Sequence, residues 1–122
     1  MLMPLAFLYK ILYTCTMKEI IWLGSSYQDL LAFSKPAKQI AGYYLDKLQR
    51  GKEPQDWKPM NAIGKGVKEL RIHCENEYRI IYLAQYSEGI YILHSFAKKT
   101  QKTSQKDIDL AKKRFKEIPS SK

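Results

Sequence analysis

Apolar residues in the first half of the chain change from a strand-like run to a helical period. Residues 19–23 form a short β-prone run. From Ser25 onward the apolar side chains recur at helical spacing as far as Pro36, and again from Pro36 to Gly51. Proline disfavours helix in the residue before it but suits the first turn of a new helix. The pattern therefore predicts a strand followed by a helical hairpin over residues 25–51.

The second half of the chain has a different pattern. Two prolines and several charged residues predict a loop over residues 52–65. Three strand-like runs follow at 66–73, 77–85 and 89–97, and their short connections favour an antiparallel meander. Residues 104–118 return to a helical period, with apolar residues on one side and basic residues on the other. The predicted order of elements is β-α-α-β-β-β-α.

This order predicts the α+β class, with the helical hairpin packed on one face of a small, mainly antiparallel sheet. The first strand is expected to join the meander. The opposite face is left for solvent, for the C-terminal helix or for a ligand. A chain of 122 residues with 45% hydrophobic residues suits one domain.

The first residues of the chain differ from the rest. Residues 1–16 are mostly apolar, are interrupted by Lys10, and form a run too short to span a bilayer. We interpret them as an N-terminal extension outside the fold, produced from an upstream start; the alternative is an apolar strand or anchor. The single domain is predicted to occupy residues 17–122.

Charge narrows the choice of partners. The chain has 21 Lys and Arg against 12 Asp and Glu, a formal net charge of +9. Nucleic acid, an anionic membrane surface and an acidic protein segment all fit this excess, and so does a merely solubilising surface. Two widely separated cysteines favour neither a disulfide scaffold nor a zinc site, and they suit the reducing cytoplasm.

Basic residues concentrate between the last predicted strand and the end of the last helix. Residues 98–116 contain eight Lys or Arg and two acidic residues. Cations beside a sheet edge and a helix N-terminus favour phosphate binding, although a solvated helix face explains some of them equally well. The residues that we predict to contact nucleic-acid phosphates through their charge are Lys68, Lys98, Lys102, Lys106, Lys112 and Lys113.

Two arginines lie on neighbouring predicted strands. Arg71 is on the polar side of its strand, and Arg79 begins the next strand after a tight turn. With Lys98 and Lys99 they would form a pocket suited to a phosphodiester. The alternative is that Arg71 only pairs with a surface carboxylate.

The chain has two histidines, and either could transfer protons. A single strand histidine is more often structural, so His73 and His94 both have that alternative interpretation. A metal site is not expected, because His73 and Cys74 are adjacent in a strand and point to opposite faces.

Several stretches of the chain resemble the RelE/ParE superfamily of toxins, most closely its phage-derived HigB-like branch. The most specific of these stretches begins at Leu93, includes His94 and Lys99, and ends at Thr103. The stretches that carry the resemblance are 21–26, 56–60, 64–72, 78–82 and 93–103. The resemblance implies a RelE-like fold for nearly the whole chain after residue 16.

The resemblance also implies a function. Such a protein is the toxin of a type II toxin–antitoxin system, a ribosome-dependent mRNA endoribonuclease that needs no metal or other cofactor. Arg79 would lie beside the scissile phosphate, and Arg71 and Lys99 would be the other cations of the catalytic site. His94 would transfer a proton, and Glu69 could orient an arginine.

The implied partners are a helix-turn-helix antitoxin of the HigA kind, the ribosome and mRNA, all in the cytoplasm and none in a membrane. Two alternatives share the fold: a ParE-like gyrase poison, and a non-catalytic phage-derived module that binds RNA or protein. One departure concerns catalysis. The family's archetype has a tyrosine near its C-terminal helix, whereas this chain has no tyrosine after Tyr91.

Overall fold

A computed structural model describes residues 17–84, 89–99 and 102–119. In this part of the chain, five strands and three helices form an α+β fold. In chain order they are β1 (Glu19–Trp22), α1 (Ser26–Leu31), α2 (Lys35–Gln49), β2 (Trp57–Pro59), β3 (Val67–Cys74), β4 (Asn76–Leu83), β5 (Gly89–Lys98) and α3 (Gln105–Glu117). No helix within these ranges is both long and apolar enough to cross a membrane. The predicted extension over residues 1–16 lies outside the described residues.

The strands form one mixed sheet in the order β1-β5-β4-β3-β2. Strands β5, β4, β3 and β2 are antiparallel to one another along the sheet, whereas β1 runs parallel to β5, with Glu19 opposite Gly89. The predicted fold class, the meander and the addition of the first strand to it are confirmed. Because β1 is parallel to its neighbour, the intervening chain has to cross over, and the helical hairpin supplies that crossover.

The sequence analysis missed one strand. Residues 52–65 were predicted to be a loop, but they contain β2, in which Trp57 lies opposite Leu70 and Pro59 opposite Lys68. A strand of three residues is too short to show a period. Its proline is tolerated because β2 is at the edge of the sheet, where one side of the strand needs no partner.

The helical hairpin covers one face of the sheet, as predicted. Ala37, Ala41 and Leu45 of α2 are buried against this face. Their partners from the strands are Leu70, Ile72, Tyr78, Ile80, Tyr82, Ile90 and Ile92. Two alanines on the buried side of α2 allow the helix to approach the sheet closely.

The helix α3 packs on the other face of the sheet. Of solvent, the C-terminal helix and a ligand, the three occupants considered for this face, the C-terminal helix therefore covers part of the face. Ala111 and Ile118 are buried there with Ile81, Leu83 and Leu93. Ser104 caps the N-terminus of α3, since the backbone N–H of Asp107 donates to Ser104 Oγ at 3.2 Å.

The start of the hairpin differs in detail from the prediction. Ser25 occupies the N-cap position of α1 but makes no capping hydrogen bond; its hydroxyl donates instead to the side chain of Asp29 at 2.8 Å. Helix α1 ends at Leu31, earlier than the predicted end near residue 35. Ser34 caps α2, and Pro36 lies in its first turn as expected.

We expect the Arg114→Met substitution to destabilise the fold by about 2 kcal/mol. The buried guanidinium of Arg114 donates to the carbonyl oxygen of Leu93 at 2.8 Å and to Ser25 Oγ at 3.0 Å, so it joins α3 to β5 and to α1. Urea denaturation would measure the loss. Lys113→Met, at an exposed position of the same helix, is the matched control and should change the unfolding free energy little. Equal stability of the two variants would contradict the expectation.

Candidate functional site

Polar side chains converge on the sheet face that carries α3. The pairing of β3 with β4 places Arg71 opposite Arg79. Alternation along β3 puts Glu69 on the same face as Arg71. Lys98 ends the neighbouring strand β5, and Thr103 follows it just before α3. We call these five residues the cationic cluster.

A buried carboxylate is at the centre of the cationic cluster. Glu69 has no exposed surface. Its Oε1 lies 3.5 Å from Arg79 Nε and 3.9 Å from Arg71 Nε. Its Oε2 accepts a hydrogen bond of 2.6 Å from the hydroxyl of Thr103. Because a buried carboxylate is stable only when it is paired, Glu69 holds both guanidinium groups near one point.

Lys98 completes the cluster from the third strand. Its side chain is buried, and Nζ donates to Thr103 Oγ1 at 3.5 Å. The pKa of Lys98 is lowered from the usual 10.5, first because burial disfavours the charged form and then because Arg79 is nearby; Glu69 acts in the opposite direction. Three basic side chains therefore surround one fully buried carboxylate, and Asp56 and Glu77 pair with the two arginines from outside the cluster.

A second carboxylate connects the cluster to the surface. Glu77 accepts a hydrogen bond of 3.0 Å from Arg79, and its carboxylate lies 2.7 Å from Nδ1 of His73. Nε2 of His73 is 2.5 Å from Asp56 Oδ2. The hydrogen bonds to Glu77 and then to Asp56 raise the pKa of His73 above 6.5, and the histidine in turn lowers the pKa of Glu77. A continuous polar chain thus runs from Asp56 to Glu69.

We expect the stabilising effect of His73 to depend on pH. A histidine whose pKa is raised on folding contributes its full stabilisation below the unfolded pKa of about 6.5 and loses it as the pH rises through the folded pKa. The difference in unfolding free energy between wild type and His73→Gln should therefore be largest at acidic pH and shrink above neutrality. Urea denaturation across this pH range would measure the difference in unfolding free energy, and an NMR titration of the imidazole would measure the pKa of His73. A midpoint at or below 6.5 would contradict the raised pKa.

His94, the residue expected to transfer protons, lies on the same face but apart from the arginines. It is opposite Ile81, and Phe96, opposite Arg79, stacks on its ring with centroids 4.6 Å apart. His94 Nε2 is 2.7 Å from Asp107 Oδ1 of α3, and its Nδ1 is buried without a hydrogen-bond partner among the described residues. These contacts join β5 to α3. Its role in proton transfer stays a prediction.

The other predicted lysines are dispersed. Lys99 is exposed, one residue beyond the end of β5. Lys68 lies on the opposite face of β3 from Arg71, where Nζ pairs with Glu53 at 3.0 Å and lies 4.3 Å from the ring centre of Trp57. Lys102, Lys106 and Lys113 are exposed, and Lys112 is partly buried on α3.

Sequence reasoning missed two parts of the site. Thr103, which bridges Glu69 and Lys98, has no pattern that distinguishes it from other threonines. The position of His73 between two carboxylates was also not expected, although Glu77 four residues later across a tight turn was a usable signal. The predicted proximity of Arg71, Arg79 and Glu69 agrees with the structure.

The arrangement suits an anion that bears several oxygens. Two guanidinium groups and one ammonium group approach from three adjacent strands, so a phosphate could accept hydrogen bonds from more than one of them. Among the described residues, no group of three or more His, Cys, Asp or Glu side chains could hold a metal ion.

Comparison with known proteins places the chain in a family. No curated protein matches it. The family described as phage-derived protein Gp49-like (DUF891) matches residues 28–116, which is most of the chain and includes the whole cationic cluster. This match and the α+β fold agree with the superfamily that the sequence resembles. The chain belongs to the phage-derived Gp49-like family, a part of the RelE/ParE-like toxin superfamily.

Proposed function

We propose that the protein is a HigB-like toxin of a type II toxin–antitoxin system that cleaves mRNA on the ribosome. One observation carries the proposal. Arg71, Arg79 and Lys98 converge around the buried carboxylate of Glu69 on a strongly basic chain. A gyrase poison would need no such phosphate pocket, and a protein-binding module would need no shared carboxylate to hold its cations together.

The proposed reaction is transfer of a phosphoryl group within the RNA. The 2′-hydroxyl gives its proton to a water molecule and attacks the adjacent phosphorus, the bond from phosphorus to the 5′ oxygen breaks, and that oxygen takes up a proton from Lys98. The products are a cyclic phosphate and a 5′-hydroxyl end. Negative charge on the phosphoryl oxygens increases in the transition state, where fixed cationic donors stabilise it most.

Each side chain has a distinct part in this reaction. Arg79 and Arg71 donate to the phosphoryl oxygens. Lys98, whose pKa is lowered by burial, gives up a proton more readily than an ordinary lysine and donates to the leaving oxygen. Glu69 has no exposed surface and acts as a positioning residue that fixes both arginines. The exposed Lys99 and Lys102 attract the RNA backbone.

The proposed partners follow from this chemistry. The substrate is mRNA in the ribosome, which sets the site of action in the cytoplasm. A helix-turn-helix antitoxin of the HigA kind would neutralise the toxin by covering the cationic cluster. An acidic antitoxin segment would suit this surface, because the chain has a net charge of +9.

Induced expression without an antitoxin should arrest growth, and the purified protein should cut mRNA only in the presence of translating ribosomes. Mapping of RNA 5′ ends in a reconstituted translation system measures the second effect. Accumulation of gyrase–DNA complexes with intact mRNA would instead indicate a gyrase poison. Normal growth and intact mRNA would indicate a non-catalytic module.

A further inference from the structure

A groove opens beside the cationic cluster, between α2 and the edge of β3. Its volume is about 720 Å³. Arg71 and His73 line it on the strand side. Tyr43 and Tyr44 line it on the helix side, with ring centroids 5.6 Å apart. We call this the tyrosine groove. It lies beside the start of β2, where the backbone N–H of Arg71 donates to the carbonyl oxygen of Asp56 at 2.9 Å.

Arg71 belongs to both the groove and the cluster. Its Nε is 3.9 Å from Glu69 Oε1 in the cluster, and its Nη1 is 3.9 Å from Oδ1 of Asp56, which also lines the groove. An RNA strand whose phosphate binds in the cluster would pass around the edge of β3 to bring a neighbouring nucleotide to the groove, because α2 covers the opposite face of the sheet.

The side chains of the groove suit a nucleobase. Tyr43 exposes 60% of its surface, an unusual proportion for a large aromatic residue, and so offers a face for stacking. Gln39 and Gln55 also line the groove, and their amides can both donate to and accept from the edge of a base. The carboxylate of Asp56 pairs with Arg71 and, when the imidazole is protonated, with His73, which weakens its repulsion of RNA.

We propose that the tyrosine groove binds the base of a nucleotide next to the phosphate held by the cationic cluster, with Tyr43 as the stacking platform. This inference rests on the proposed function and adds a determinant of RNA binding to it. The groove adjoins the cations, and the net positive charge of the chain favours an RNA strand over a basic or neutral peptide.

The test uses a 2′-O-methyl RNA hexamer, which cannot be cleaved because the attacking hydroxyl is blocked. Affinity is measured by fluorescence anisotropy at low salt, with the intact hexamer and with hexamers that lack one base in turn. In wild type, one abasic position should weaken binding about tenfold, the scale of a stacked base. Tyr43→Ala should weaken binding of the intact hexamer to a similar degree and abolish the penalty of that abasic position. Such non-additivity reports a direct contact.

Two variants serve as controls. Tyr43→Phe keeps the stacking face and should bind like wild type. Tyr27→Ala removes another exposed tyrosine, from α1 and outside the groove, and should leave hexamer affinity and the abasic penalty unchanged. Because Tyr43 is mostly exposed, its truncation should leave the fold intact, which the unfolding midpoint would verify.

Three outcomes would overturn the groove proposal: equal binding of intact and abasic hexamers by wild type, wild-type affinity of Tyr43→Ala, or a persistent abasic penalty in that variant. If Tyr43→Ala weakened only antitoxin binding, the groove would be a protein-docking site. A different result would contradict the proposed function, namely a Lys98→Met variant that binds the hexamer and cleaves mRNA as well as the wild type does.

Discussion

Replacing Arg79 with alanine should lower the rate of mRNA cleavage on the ribosome by at least about 100-fold, the usual effect of removing one transition-state donor. Arg79 is 5% exposed and is held between Glu69 at 3.5 Å and Glu77 at 3.0 Å. This fixed position lets the guanidinium stabilise developing charge without first rearranging. Single-turnover cleavage of a ribosome-bound message would measure the change.

Two further variants sharpen this test. Arg50→Ala removes the same charge from an exposed ion pair with Asp46 on α2, so cleavage should stay close to wild type. Arg79→Lys keeps the charge but loses the fork of donors, so it should recover only part of the activity. Antitoxin binding and the unfolding midpoint would establish that each variant is folded. Undiminished cleavage by a folded Arg79→Ala variant would remove Arg79 from the proposed site.

Replacing Glu69 with alanine should lower the free energy of unfolding by about 3 kcal/mol, because it leaves buried cations without their shared carboxylate. Two arginines and Thr103 lose a partner at once. Cleavage should fall too, since the arginines are no longer held together. Urea denaturation measures the stability change.

Glu53→Ala is the matched control for Glu69→Ala. It removes a carboxylate that pairs with one lysine at the surface, so the loss should stay below about 1 kcal/mol. Glu69→Gln keeps the size of the side chain and an acceptor for Thr103, so its free energy of unfolding should lie between those of the wild type and Glu69→Ala. If Glu69→Ala were as stable as Glu53→Ala, Glu69 would not be the centre of the cluster.

Local sequence patterns were enough to predict every described element except β2, and one half of the site. The helical period and Pro36 predicted the hairpin, and the short connection between two strands predicted that Arg71 and Arg79 would be neighbours. Both predictions depend on contacts close in sequence, where spacing alone determines geometry.

Contacts distant in sequence account for what was missed. Thr103 reaches Glu69 only because α3 returns to the sheet, and no local pattern shows that return. Lys98 and Lys99 are adjacent, and which of them joins the arginines depends on the register of β5, which shifts near Ile81. A register shift of one residue exchanges the two faces of a strand, and the sequence does not mark it.

The position of Lys68 could have been deduced. Lys68 and Arg71 are an odd number of residues apart in one strand, so alternation places them on opposite faces. The prediction that Lys68 binds RNA together with the arginines therefore requires a strand of RNA that passes around the edge of the sheet. No local sequence pattern could have predicted β2, because this short strand is defined by its pairing with β3.

The parallel pairing of β1 with β5 has a consequence for biosynthesis. The pairing of Glu19 with Gly89 can form only after residue 89 has been synthesised, and Lys98 and Thr103 are synthesised later still. Contacts this distant in sequence form slowly, because a long loop must be closed first. During translation, the ribosome that makes this chain is therefore exposed to separate basic segments, and the cluster can assemble only after Thr103 has left the ribosome.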